Sequence, residues 1–369
     1  MIEWLFGIPA AYQAIALAAV VSRLRKVDPR PSEYPTISIL KPVRGIEYGF
    51  YEAIRSHAEQ DYPRFEIIFA VNDAADPALA EVKRLIKEFP ERSIRYIVRQ
   101  TDAANRKVGS LIDLATLAHG ELILVNDADI HVPEGYLRSI VGALQSADNI
   151  GLVTCLYKAR AAHPAGWFEA LGVAADFVPS ALVAKLVGIS EFALGSTMLF
   201  RRADLDAMGG FVAVADYIAD DYHLGLQISK LGKRVHFSTV IVETALGART
   251  LAEAWSHQVR WARTIKASRG DLIGYLGLPV TFATLWSLIA AACGWWSVAI
   301  WLFALRAAVA LASAGPLLAD LHALRHIWAL PLRDLWAAAV WVAGISGREV
   351  EWGGEKLTLA KNGRIVVSR

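Results

Sequence analysis

Apolar and polar positions divide the chain into membrane-like stretches at its two ends and an alternating region between them. Residues Trp4 to Val21 form an almost unbroken apolar run, long enough to cross a bilayer, and Arg23, Arg25 and Lys26 follow at once. A cleaved signal peptide carries its positive charges before the apolar run, so this order predicts a retained anchor. By the positive-inside rule the chain after Arg23 is cytoplasmic.

From Pro35 to about Lys233, strand-like runs alternate with amphipathic ones. The pattern predicts strands at Thr36–Leu40, Phe65–Val71, Ile94–Val98, Leu122–Val125 and Gly151–Tyr157. Helices are predicted at Tyr51–Glu59, Pro77–Phe89, Lys107–Ala118 and Glu134–Gln145. Such alternation implies an α/β fold, a mostly parallel sheet with helices on both faces. Beyond it, Ala193–Arg201 reads as a strand entered through Gly195-Ser196-Thr197. Ile218–Leu231 reads as a helix opening with Asp220-Asp221-Tyr222, and Arg234–Thr244 as a further strand.

Leu251–Ser268 has the pattern of an amphipathic, membrane-surface helix and carries His257, Gln258, Arg260, Trp261, Arg263 and Lys266. Leu272 to Ala314 is apolar apart from Arg306, enough for two spans with a bend near Gly294-Trp295-Trp296. Leu335–Ser346 is apolar but short for a crossing; it reads as re-entrant, interfacial, or the core of a longer tilted span. The tail, with Arg348, Lys356, Lys361, Arg364 and Arg369, reads as cytoplasmic.

Composition supports a membrane protein: 55% of residues are hydrophobic, and twelve are Trp. The net charge of +2 and the lack of a Lys/Arg block with interleaved aromatics argue against a nucleic-acid partner. Two cysteines in separate regions give no disulfide framework. No H-E-x-x-H, G-x-x-x-x-G-K-[ST] or G-x-S-x-G occurs, which weakens zinc-enzyme, kinase, ATPase and hydrolase readings.

The chemistry centres on Glu121-Leu-Ile-Leu-Val-Asn-Asp127-Ala-Asp129, an apolar strand ending in two carboxylates one residue apart. At i and i+2 on a strand they point the same way, and hard oxygen donors suit a divalent cation holding a diphosphate. An isolated D-x-D is more often a solvated turn. Asp221, beside Asp220 near a helix start, is a candidate general base, since like-charge crowding raises a carboxylate pKa. The bland alternative is that Asp220 caps the helix. Lys107 after Asn105 could meet a phosphate, although an exposed lysine is more often only solvated, and Gly195 and Ser196 could let the backbone approach the acceptor closely or just turn the chain.

Read together, Ser38-Ile-Leu-Lys41-Pro-Val-Arg-Gly45, Gln60-Asp61-Tyr-Pro63, Val71-Asn-Asp73-Ala-Ala-Asp76-Pro77-Ala, Asn126-Asp127-Ala-Asp129-Ile-His-Val132, Gly151-Leu-Val, Gly195-Ser-Thr-Met198, Tyr217-Ile-Ala-Asp220-Asp221-Tyr222 and Arg260-Trp261-Ala-Arg263-Thr264 form an ordered set. This set resembles the membrane-bound lipid glycosyltransferases related to ceramide glucosyltransferase, including the bacterial hopanoid branch. The resemblance implies a GT-A nucleotide-sugar fold in which Asp73 binds the nucleoside, Asp127 and Asp129 hold a metal–diphosphate (Mg²⁺ or Mn²⁺), and Asp221 is the base. It also implies a Q/R-x-x-R-W motif, in which His257 stands where Gln or Arg is usual, while Arg260 and Trp261 match. By its chemistry Arg260 could add a bidentate contact to a phosphate, and Trp261 could either stack on the sugar or anchor the helix in the membrane interface.

The implied organisation is an anchor over 1–22, a cytoplasmic GT-A domain over 35–248, an interfacial helix over 249–270, a transmembrane or re-entrant region over 271–346 and a cytoplasmic tail over 347–369. The implied function is inverting transfer of one hexose from a UDP-sugar to a membrane lipid, in a multi-pass protein of a bacterial inner membrane. UDP-glucose with ceramide ranks first; UDP-N-acetylglucosamine with a hopanoid polyol is the alternative. A non-catalytic nucleotide-sugar-binding membrane protein is the rival from a different class. A processive synthase would need more spans.

Overall fold

The computed structural model describes residues 3–247, 250–269, 272–352 and 355–366. The expected boundaries at 248–249 and 270–271, and Arg369 of the tail, lie outside them. The chain forms two compact units: Val27–Tyr157 with Ser190–Ala245, and a second built from the segment ending at Lys26, Lys158–Ile189 and the chain from Leu246 onward.

The first unit holds an eight-stranded sheet of order β3-β2-β1-β4-β7-β6-β8-β5. Its strands are β1 Ile37–Val43, β2 Phe65–Val71, β3 Ser93–Val98, β4 Leu122–Val125, β5 Ile130–His131, β6 Ile150–Ala161, β7 Met198–Arg201 and β8 Arg234–Leu246. β3, β2, β1 and β4 are parallel, whereas β7 runs antiparallel to β4 and β6, and β5 antiparallel to β8. The sheet is therefore mixed, with one parallel half. Leu40 pairs with both Ile68 and Val125, which brings the C-terminal ends of β2, β1 and β4 side by side. In α/β sheets that edge is where ligands bind.

Why β4 is wholly apolar follows from its place. Leu122 and Leu124 pack into one core with Ile37, Ile39, Ile67 and Phe69, while Ile123 and Val125 pack into the other with Leu40, Ile68 and Phe200. Successive side chains point to opposite faces, so a strand covered on both sides has no solvent face for polar residues.

The second unit contains helices long and apolar enough to cross a membrane: Phe6–Leu24, Pro164–Leu186 and Trp296–Leu317. Gly274–Thr281 and Ala283–Ala292 add a pair bent by 65°, which makes up to four candidate spans if each bent pair is one span. The pattern of hydropathy predicted the first and third, but the helix at 164–186 was not expected. Its Glu169, Asp176 and Lys185 interrupt the apolar run in sequence. In the fold Glu169 pairs with His257 and Asp176 with Arg306.

That second pairing belongs to a buried charged cluster. Arg306 Nη2 donates to Asp334 Oδ1 at 2.6 Å and also pairs with Asp176, and its Nη1 donates to the Ala175 carbonyl at 2.7 Å. Ser313 Oγ donates to the Ala174 carbonyl at 2.6 Å. Residues Val173–Phe177 form a π-turn, a wider coil that presents these carbonyls sideways. A charge in an apolar helix bundle is costly unless paired, and here the pairing ties three helices together.

Leu330–Ile345 is a helix with Pro331 in its first turn, longer than the apolar core expected at Leu335–Ser346. The tail, for which no strand is predicted from the sequence, forms an antiparallel sheet of β9 Glu349–Trp352, β10 Glu355–Leu359 and β11 Ile365–Val366. Its alternation buries Val350, Leu359 and Ile365.

Candidate active site

β4 delivers its carboxylates to the sheet edge, but on a turn. Asp127 and Asp129 follow the last strand residue, Val125, and Ile130 N donates to the Asp127 carbonyl at 3.4 Å. The expectation that both carboxylates point one way from a strand is corrected by this turn. Asp129 is held by Thr244 Oγ1 of β8, opposite Ile130, whereas Asp127 receives Lys107. Burial, and then the neighbouring Asp127 charge, push the Asp129 carboxyl up to about 6.

Lys107 links two parts of the site. Its Nζ lies 2.7 Å from Asp127 Oδ1 and 2.9 Å from Asp220 Oδ2. Burial opposes its charge, but Asp127 and Asp220 outweigh that and hold its pKa above the ordinary lysine value. The helix Arg106–Leu117 aims it there, because Asn105 caps the helix by accepting from Val108 N and donates to the Tyr217 carbonyl at 2.8 Å. One side chain thus fixes both the lysine helix and the loop before Asp220.

Asp220 is the first residue of its helix, Asp220–Lys230, with Ala219 in the cap position, so its pairing with Lys107 takes the place of the bland alternative. Asp221 Oδ2 accepts from Gly195 N at 3.1 Å and its Oδ1 from Tyr222 N at 2.7 Å. Burial, then the adjacent Asp220, raise the Asp221 carboxyl to about 6 against the pull of Lys107. The helix sits close because Gly225 has no side chain: a Cβ there would fall 2.8 Å from Ala193 N and from the Glu191 carbonyl.

Gly195 joins the two carboxylate groups. Its carbonyl accepts from Asp127 N at 3.1 Å while its N–H holds Asp221. A Cβ on Gly195 would stand 2.5 Å from Asp127 Oδ2. The strand expected from Ala193 begins only at Met198, because Thr197 N turns back to the Leu194 carbonyl. Ser196 is buried, its hydroxyl bound to the Cys155 carbonyl at 2.8 Å, so its side chain supports the turn.

Beneath the turn lie residues not singled out in sequence. Asn126 donates to Tyr136 Oη at 2.9 Å and to the Ser196 carbonyl at 2.7 Å, and its Oδ1 is 3.2 Å from His57 Nε2. Fully buried Lys41, in β1, donates to the Asp127 carbonyl at 3.2 Å, and burial lowers its pKa to about 7. Asn126 and Lys41 had no signal beyond membership of the quoted motifs, and His57 and Tyr136 lie outside those motifs. Asp73, exposed after β2, accepts from Ala75 N, while Asp76 holds Gly45 N at 2.9 Å and Ala78 N at 2.9 Å.

Within the second unit, the helix Leu251–Arg269 carries the remaining candidates. His257 Nδ1 lies 2.7 Å from buried Glu169 Oε1, with its ring against Trp261 at 4.7 Å. Gln258 is buried, accepting from Trp336 Nε1 at 3.0 Å. Arg260 is half-buried on the same helix.

Among the described residues no three His, Cys, Asp or Glu side chains gather as a metal cage. The i, i+4 histidines His322 and His326 do not form one: His326 Nδ1 lies 2.8 Å from the His322 carbonyl and its ring stacks on Trp167. Asp127 and Asp129 do fit a cation that takes one or two carboxylates and completes its shell with phosphate oxygens and water. Asp127 is the more open of the two carboxylates on Lys107, its side chain 42% exposed against 8% for Asp220.

A family model described as "Glycosyl transferase family 21" matches residues 4–365. Ceramide glucosyltransferase 1 of Caenorhabditis elegans is 26% identical over 218 residues, 58% of this chain and 46% of that protein. The ceramide glucosyltransferase of Komagataella phaffii is 30% identical over 131 residues, 34% and 26% of the respective chains. A beta-monoglucosyldiacylglycerol synthase of Synechocystis is 24% identical over 239 residues, 62% and 47%. The chain thus spans about half the length of most of these relatives, and less of the Komagataella protein. A mannosyltransferase from Pyrobaculum calidifontis, solved in complex with GDP-Man and Mn²⁺, superposes with a TM-score of 0.55 at 21% identity. The match covers 92% of this chain and 97% of that one, and it shows a shared fold.

Proposed function

The chain belongs to glycosyl transferase family 21, and from that premise we propose that it is an inverting membrane-lipid glycosyltransferase. It moves one hexose from a UDP-sugar to a lipid hydroxyl. The observation that carries this is Gly195, whose backbone joins Asp127 on the leaving-group side to Asp221 on the acceptor side.

Asp221 is the general base. As the acceptor oxygen bonds to the anomeric carbon, its proton passes to the Asp221 carboxylate. The bond from that carbon to the diphosphate oxygen breaks, and the nucleoside diphosphate leaves with the electron pair. A pKa near 6 leaves Asp221 ionised at neutral pH yet basic enough to accept the proton. One displacement inverts the anomeric centre, so a single base suffices.

Asp127 and Asp129 would hold Mg²⁺ or Mn²⁺, which when bound offsets charge on the diphosphate. Lys107 supplies a positive charge on the same side, and Asp73 is assigned to the nucleoside. His257, Gln258, Arg260 and Trp261 are assigned to substrate contacts; Glu169 holds the His257 ring in place, and buried Gln258 orients Trp336.

Glucose and ceramide rank first as donor sugar and acceptor, because relatives named ceramide glucosyltransferase recur in an animal and a yeast. The Synechocystis relative supports diacylglycerol as a second acceptor class. The soluble site and tail are assigned to the cytoplasmic side.

The test is to incubate detergent-purified protein with labelled UDP- and GDP-sugars and ceramide, diacylglycerol or hopanoid polyol, and weigh the lipid product. A hexosyl lipid formed from a UDP-sugar supports the assignment and names the acceptor. Nucleotide-sugar binding with no transfer to any lipid would leave a binding-only protein.

A further inference from the structure

We propose that Lys107 and a divalent cation compete for Asp127, so that the cation is held firmly only together with the diphosphate of the donor. This deepens the donor-site assignment above and rests on it.

The competition follows from how close Lys107 stands to Asp127, its Nζ 2.7 Å from Oδ1. The Asp127 side chain is 42% exposed, so it is also open to a cation. A cation on either oxygen of this one carboxylate would stand within a few ångströms of the ammonium, where like charges repel. Lysine is a compact point charge, and it cannot share that carboxylate with a dication at no cost.

Lys107 also has somewhere to go. Its second partner, Asp220 Oδ2 at 2.9 Å, is buried on the acceptor side and keeps one of its contacts. A phosphate oxygen drawn in with the cation supplies the other. The helix start itself is pinned by Asn105, so the adjustment falls on the flexible lysine stem. Cation and ammonium each weaken the other at Asp127, while a diphosphate satisfies both. Nucleotide and cation binding are then coupled through Lys107, and the coupling is reciprocal. The consequence for the enzyme is ordered loading: Asp127 is released to the cation as the donor arrives.

Mn²⁺ titration of the detergent-purified full chain, read by electron paramagnetic resonance with and without UDP, tests this without turnover. Lys107→Gln should bind Mn²⁺ alone about tenfold more tightly than wild type, and UDP should then improve Mn²⁺ binding by about tenfold less. Lys107→Arg, which keeps the charge, should stay near wild type. Asp220→Asn removes the alternative partner and should weaken nucleotide-free Mn²⁺ binding, a second check should the glutamine variant not fold. If wild type binds Mn²⁺ with UDP but neither Lys107→Gln nor Asp220→Asn shifts nucleotide-free binding, competition is refuted and the metal assignment stands. If wild type does not bind Mn²⁺ even with UDP, both fall.

Discussion

Replacing Gly195 by alanine should disable the site while leaving the fold nearly intact. The new methyl carbon would lie 2.5 Å from Asp127 Oδ2 and 3.3 Å from its carboxyl carbon. Ordinary contact is near 3.5 Å, so the carboxylate must retreat by about 1 Å. The atoms in its way are the end of a side chain, and turning that side chain off its rotamer costs on the order of 1 kcal/mol. The backbone bonds from Asp127 N and to Asp221 are not removed. The melting temperature in detergent should therefore fall by only a few degrees. Transfer of labelled sugar should fall by about a hundredfold, the usual penalty for a 1 Å misplacement of a group that positions a reacting centre. A folded variant that transfers sugar within about threefold of wild type would refute the role given to the Gly195–Asp127 contact.

Other outcomes follow from the same geometry. A base whose carboxyl is raised to about 6 is protonated and inactive below that pH, so kcat/KM should fall about tenfold per unit as pH drops below 6; a flat profile down to pH 5 would exclude Asp221 as base. Chelator should abolish transfer and added Mg²⁺ or Mn²⁺ restore it, whereas full activity in chelator would remove the metal from Asp127 and Asp129. Arg306→Leu leaves Asp334 without its buried cation and Asp176 with only Arg333 at 3.5 Å, and should cost about 3–5 kcal/mol, seen as a lower melting temperature in detergent; an unchanged melt would mean that the cluster does not hold the helices.

Much of this was legible from the amino-acid order because local chemistry dictated it. The all-apolar Leu122–Val125 could only be a strand covered on both faces, and Asp220-Asp221 opened a helix as the pattern predicted. The turn at Asp127–Asp129 was not, because a D-x-D after a strand fits either a strand end or a turn until Thr244 and Lys107 pick separate partners. Lys107 lies 20 positions from Asp127 and 113 from Asp220, and no periodicity reports a contact of that kind. The helix Pro164–Leu186 hid behind charges whose partners are remote in the chain. By contrast the tail sheet had a readable signal: two alternating runs, β9 and β10, separated by two glycines.

The most direct measurement is the rate of sugar transfer by Asp221→Asn at saturating donor and acceptor, beside its affinity for UDP. Asparagine keeps the side-chain size and can still accept from Gly195 N, but it cannot take the proton. Transfer should fall by about 10²–10⁴-fold while UDP affinity stays within a few-fold of wild type. Transfer at the wild-type rate would contradict the assignment of Asp221 as the base and with it the one-step mechanism built on the Gly195 link.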